Sequence, residues 1–442
     1  MAVVAIRSNS QPAGGTTTTQ PVTPAVTPAA IADLVEQLTP TIAKFRAAST
    51  PQMVTLDQAS IGLGVAGLGP SKSVQIAQVG LGVRIVSEHS VTITLNNTAA
   101  SAVTVNVSPL FPYDLIANTN VQINGGATVY SASGIAGLVV ALRNRKGTFN
   151  FNTLGGFGPA LSPALVRVSV SGTSVTTTNA TAPTFSGLAS ISIPASTTAT
   201  VTATFYTFEK LALDRESLLG LLPLQNSQTF AVIARTLVSA IGGNNPTYPF
   251  YASGGWPSTL TTTVQDVISS NYEFWSIPPD PGLYQEMVTN SYQVQEATSL
   301  QANATGPGAL VYPLPTNAYH LAAHLWLFDA NGNPLPATAL SKIVLQYNAG
   351  SVVPVTIFQG RHRAAQFLDY ADDRQAFAGY RFWDGEDTTE DITDTDQAGW
   401  IDTYAAATPQ LVADVGVGIA TPVVYSVTRE SVVAGSVQVV GG

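Results

Sequence analysis

The segment VRIVSEHSVTITLNNTAASAVTVNVSP, residues 83–109, constrains the fold more than any other part of the chain. Apolar and polar residues alternate on both sides of Asn96-Asn97-Thr98, which is the two-residue period of strands with one buried face. A helix would need apolar residues at every third or fourth position instead. The Asn-Asn-Thr group favours a turn, so the segment predicts a hairpin or a bent antiparallel pair.

The same signature recurs. Strands are expected at Val121–Ile123, Gly137–Leu142, Leu165–Val170 and Thr197–Thr207, and an apolar run follows around Phe230, Val232 and Ile233. In the second half they are expected at Thr259–Ile268, Val288–Val294, Leu321–Phe328, Lys342–Tyr347, Val352–Phe358, Gln410–Val417 and Val423–Val440. The 37 glycines and 28 prolines punctuate these runs at the intervals that short strands joined by turns require. Only 10% of the 442 residues are charged, against the usual share of about 25%, while 45% are apolar. Such a chain packs extensively, against itself or against partners, and is long enough for two cores. The reading is all-β, with two halves of similar plan.

Three segments break the β pattern. Residues 1–28, rich in Thr, Pro and Gln with Arg7 as the only charge, read as a flexible arm. Within residues 29–73, Ile31, Leu34, Val35, Leu38, Ile42 and Phe45 form one apolar helical stripe, interrupted at Pro40 and followed by a glycine-rich connector. Short helical inserts are expected where Asp214 can cap Leu218, Leu219, Leu221 and Leu222, and again over residues 360–380. The two β units are placed at 74–255 and 256–442.

Several residues invite a chemical reading. Gly62, Gly64 and Gly67 fit a dinucleotide-binding loop, but Pro70 stands where the phosphate-binding helix should run and Val74-Gln75-Ile76 alternates like a strand, so a connector is expected. His320 and His324 have the spacing of a zinc helix without its glutamate; on a strand they would share a face about 13 Å apart, at a rise of about 3.3 Å per residue, too far to share a metal. Asp394, Asp396 and Gly399 match positions of a calcium loop within the acidic run Asp384 to Asp402, but Ala398 and Ala405 stand where oxygen ligands belong. Arg361, His362, Arg363 and Arg374 lie beside Asp369, Asp372 and Asp373 and are read as ion-pairing partners. No catalytic residue and no cofactor is assigned. A net charge of −9 with 18 basic residues argues against direct contact with nucleic acid, and the absence of cysteine removes disulfides and thiolate chemistry.

The order of several segments resembles one family: the helix at 29–48 followed by MVTLDQ; VGLGVRIVSEHSVTITLNNTAASAVTV with SPLFPYDLI behind it; IPASTTATVTATFY; LALDRESLLGLLPLQNSQTFAVIARTLV; NAYHLAAHLWLFDANGNP; and PVVYSVTRESVVAGS. In order and character these are similar to the double jelly-roll major capsid proteins of tectivirus-like, membrane-containing icosahedral bacteriophages. The resemblance implies two side-by-side eight-stranded jelly rolls, with an N-terminal helix whose stripe Ile31 to Phe45 lies near an internal viral membrane. It implies pseudo-hexagonal homotrimers that contact neighbouring trimers, vertex or penton proteins and minor capsid proteins, in a virion made in the host cytoplasm. Competing readings are a carbohydrate-binding spike using the aromatics of NPTYPFYASGGWP, or a jelly-roll glycosidase using Glu386 or Asp387.

Overall fold

The computed structural model describes residues 50–62, 71–76, 81–123, 127–143, 166–177, 185–210, 222–223, 231–276, 290–347, 350–356, 368–371, 377–381, 401–402 and 409–434. Most of these are strand, with one α-helix among them, Gly134–Arg143. The stripe from Ile31 to Phe45, Gly64, Gly67, the basic cluster, Glu386, Asp387, Asp394 and Asp396 lie outside the described residues.

The long strand Leu81–Asn97 organises the N-terminal half. It pairs antiparallel with Thr198–Lys210 on one side and with Leu260–Ser276 on the other, and the sheet is extended by Thr50–Gly62 and Val166–Ser171. Its odd-numbered residues from Ile85 to Leu95 all point inward and are buried, as the alternation predicts. A smaller sheet built on Val103–Val107, Leu188–Ile193 and Phe250–Tyr251 covers this face. Val91, Ile93 and Leu95 from the first sheet meet Val105, Ile191 and Phe250 from the second in one core.

The residues around Asn97 do turn the chain, but they do not close a hairpin. Leu81–Asn97 and Val103–Val107 belong to different sheets, so the turn carries the chain across the core. Asn97 makes that crossing: its Nδ2 donates to the carbonyls of Ser101 and Pro194, both at 2.9 Å, and its Oδ1 accepts from the Ala99 N–H at 2.9 Å. A period-two pattern reports which face a residue takes and is silent about which strand lies beside it.

The C-terminal half repeats the design. Tyr319–Asp329, Val423–Ala434 and Asn290–Gln301 form part of a large sheet that continues through Ala127–Ala132 into the N-terminal half. Over it lies a four-stranded sheet of Gly306–Pro313, Gln410–Val415, Leu340–Tyr347 and Gly350–Thr356. Leu325, Leu327 and Val427 pack on Leu310, Ile343 and Leu411 between them. The run LWLF at Leu325–Phe328 is apolar throughout because this strand is covered on both sides: Trp326 belongs to the core of the other half.

Four local expectations are corrected. Gly137–Leu142 lies in the helix Gly134–Arg143 rather than in a strand, and that helix lies against Thr198–Lys210 and the 3-10 turn Tyr113–Leu115. Leu222 falls in the short strand Leu222–Pro223, paired with Leu81 and Gly82, not in a helix. Within the insert expected to be helical, Leu368–Ala371 and Phe377–Arg381 are antiparallel strands that extend the large sheet. Gly62 ends the strand Thr50–Gly62, so pairing with Gln265, not a connector, holds it. Leu260–Ser276, although it follows residue 256, pairs wholly with strands of the N-terminal half.

Candidate functional site

The most chemically loaded place in the molecule is the polar end of the first core. On Leu81–Asn97 the inward positions change from Val91, Ile93 and Leu95 to His89 and Ser87, and polar side chains on adjacent strands meet them. Ser87 stands directly opposite Thr207 on one neighbour and Ser270 on the other, while His89 is flanked by Phe205 and Ile268. His89 Nδ1 lies 2.8 Å from Asp266 Oδ2, and its Nε2 lies 3.2 Å from the Thr207 hydroxyl. Phe205 stacks on the imidazole with ring centroids 4.9 Å apart.

Arg235, from the strand Ala231–Leu237, closes the network. Its Nη2 donates to Ser87 Oγ at 2.5 Å and its Nε to Glu209 Oε1 at 3.4 Å; Ser87 and Thr207 also donate to Glu209, at 3.3 and 3.2 Å. An acid, an imidazole and a hydroxyl in this order have the geometry of a nucleophile relay. Here the hydroxyl proton is directed to Glu209, and His89, Asp266, Glu209 and Arg235 are at most 2% exposed. A carbonyl substrate cannot reach Thr207, so the arrangement binds strands together rather than turning over a substrate.

The second place is a cleft of about 240 Å³ where the two halves meet. One wall carries His324, Trp326, Phe328 and Ser426 of the large sheet; the other carries Asp114 from the 3-10 turn, Ile116 at the start of the strand Ile116–Ile123, and Ile135 from the helix. Glu296 bridges the walls, accepting from the Ser133 N–H at 2.8 Å and from the Ser426 hydroxyl at 2.7 Å. Burial pushes the Asp114 carboxyl up to about 7, and the Ser108 side chain and the residue's own backbone N–H offset this only in part.

The histidine pair does not share a face. A bulge between His320 and Ala322 shifts the alternation, so His320 stands opposite Ser431 while His324 stands opposite Thr428. His324 lines the cleft, whereas His320 bonds the Pro315 carbonyl at 2.8 Å, and burial lowers its pKa. Among the described residues no group of three or more His, Asp or Glu could hold a metal, and no helix is long and apolar enough to cross a membrane. The aromatics of the proposed sugar platform are engaged locally: a Cβ on Gly242 would strike the Trp256 ring, and one on Gly243 the Tyr248 ring. The sequence did carry a sign of the buried network, since Ser87 and His89 occupy inward positions of an otherwise apolar face.

No protein-family model and no curated protein matches the chain. Solved structures do. The major capsid protein of STIV matches with 15% identity and a TM-score of 0.53, over 89% of this chain and 100% of that one. A chain from the atomic structure of Sulfolobus turreted icosahedral virus matches with 15% identity and a TM-score of 0.51, over 86% and 90%. The chain therefore has the double jelly-roll fold that the STIV major capsid protein has.

Proposed function

We propose that the chain is the major capsid protein of an icosahedral virus, and that its work is assembly rather than catalysis. The observation that carries this is the similarity to the STIV major capsid protein over 89% of this chain and the whole of that one. Three copies of a two-roll subunit supply six similar units, which suits a homotrimer of pseudo-hexagonal outline that tiles against its neighbours. Low charge and high apolar content leave surface to be covered by partner subunits. The acidic balance suits a shell separated from its genome by an internal membrane. In this proposal the stripe Ile31 to Phe45 lies on the membrane side, vertex and minor capsid proteins complete the shell, and the mature location is the virion. The division into 74–255 and 256–442 belongs to the same proposal, with Leu260–Ser276 the strand that the second segment lends to the first roll's sheet.

Mass photometry of the purified chain tests this directly. A dominant species of three chain masses, with hexagonal outlines by negative-stain electron microscopy, is the expected result. A monodisperse monomer across physiological salt would overturn it.

A further inference from the structure

We infer that the outer face of the long N-terminal sheet docks against the second half of a neighbouring copy of this chain, an inference that rests on the assembly reading above. The first support is a precedent inside the molecule. The order Thr50–Gly62, Leu260–Ser276, Leu81–Asn97, Thr198–Lys210, Val166–Ser171 in the first half recurs in the second as Asn290–Gln301, Val423–Ala434, Tyr319–Asp329, Phe377–Arg381, Leu368–Ala371. Each of these sheets turns one face to the core of its own half. In the second half the opposite face, with His324, Trp326 and Thr428, lies against the first half, and these residues are at most 4% exposed. In the first half the equivalent face has no such cover among the described residues: Val267 is 37% exposed, and Thr263 and Gln265 are exposed beside it. Repeating the contact between halves from chain to chain alternates first and second halves around a ring, which three chains close through one heterologous interface.

The second support is the chemistry and size of the face. Strand register sets Thr200 beside Thr94 and Thr202 beside Thr92 at its centre, with Ser169 and Thr263 flanking them, and none of the six is buried. Threonine is stiff about χ1, so ordering it at an interface costs little entropy, and it offers a methyl to pack and a hydroxyl to pair. Across the rows from Ser90 to Thr94 the only charge facing out is Arg167, on the edge strand. A net charge of −9 makes copies repel one another, and contact between them is least costly where little charge has to be desolvated. Five strands spaced by about 4.8 Å, over the nine residues Glu88–Asn96 at about 3.4 Å each, cover roughly 700 Å². That is close to the roughly 800 Å² that each partner gives to a stable interface.

The chain has no cysteine, so a single introduced one reports its own surroundings. Val175, 42% exposed, lies in the small sheet on the other side of the same core and is the matched control for Val267. In the trimer Val267→Cys should react with a maleimide dye at least roughly tenfold more slowly than Val175→Cys, because the centre of an interface excludes solvent. Thr92→Arg combined with Thr202→Arg puts two unpaired cations at the centre of the face and should shift the species seen by mass photometry from three chain masses to one. A trimer in which both cysteines react alike, or one that survives both arginines, would overturn the inference. Should the arginine variant not fold, the cysteine pair still decides. A monomeric parent would instead overturn the assembly reading itself, so the mass of the unsubstituted chain separates the two failures.

Discussion

The two inter-sheet cores of this molecule bury different things. In the C-terminal half Leu310, Leu325, Leu327, Ile343, Leu411 and Val427 form an apolar cluster between the sheets, and further along the same face the cross-strand partners His320 and Ser431 are buried. In the N-terminal half the equivalent inward face begins apolar at Leu95 and ends in Ser87, His89, Asp266, Glu209 and Arg235. Apolar alternation survives a two-residue slip of one strand past another, because the same face remains buried. A face carrying a His–Asp contact and an Arg–Glu contact does not survive it, since every partner would be displaced by about 7 Å. The first core thus ties its strands to one register through specific polar contacts, while the second depends on packing and on its turns.

The largest effect is expected where that contrast is attacked directly. Arg235→Ala leaves the Glu209 carboxylate buried without its cation, and should cost about 3–5 kcal/mol in urea unfolding. Replacing both members, Arg235→Met with Glu209→Leu, should recover most of that loss, since no charge then remains unpaired. Equal losses in the single and double variants would show that packing alone holds this region.

Leu327→Ala is the matching test in the second core. Leu327 is 0% exposed, and its truncation should cost about 2–5 kcal/mol through lost burial and a cavity. Its cost should be the same at pH 5 and pH 8, because no carboxylate or imidazole belongs to that core cluster. A pH-dependent loss there would blur the distinction between the cores.

The smallest effect concerns the contact between the halves. Gly332 has φ +83°, and an added Cβ would lie 3.0 Å from the backbone N and Cα of Thr247 across the junction. Gly332→Ala should therefore cost about 1–2 kcal/mol in a thermal melt, the penalty of left-handed backbone with a side chain. An unchanged melting temperature would mean that this turn and the Thr247 loop do not constrain one another.

Much of the strand content was legible along the chain. Residues 85–107 and Thr198–Lys210 follow their alternation closely, because each strand there has one core face and one outer face. The misreadings have local causes. Gly137–Leu142 is too short and too uniformly apolar for period to separate helix from strand, and packing against the Tyr113–Leu115 turn decides the matter. Residues 368–381 carry charges spaced as on a helix, yet two short strands there pair with each other, and Phe377–Arg381 pairs with Tyr319–Asp329. Tertiary context outweighs propensity at such an edge.

The candidate site was legible only as an anomaly. Ser87 and His89 are visible as polar residues on an inward face, but their partners Asp266 and Arg235 lie 177 and 148 residues away from His89 and Ser87. Nothing in the spacing of either segment announces the other. The cleft beside Asp114 was not legible at all, because it is enclosed by residues from the 3-10 turn, the helix and the large sheet.

Alternation, turn residues and scarcity of charge are local or summed properties, and they sufficed for an all-β chain with a buried and an outer face on many of its strands. Which strands became neighbours, which sheet each joined after the turn at Asn97, and which carboxylates were left paired or orphaned depended on contacts between distant segments. Those choices arise because a side chain's facing is set by its own backbone, whereas its partner is set by whatever the completed fold brings opposite.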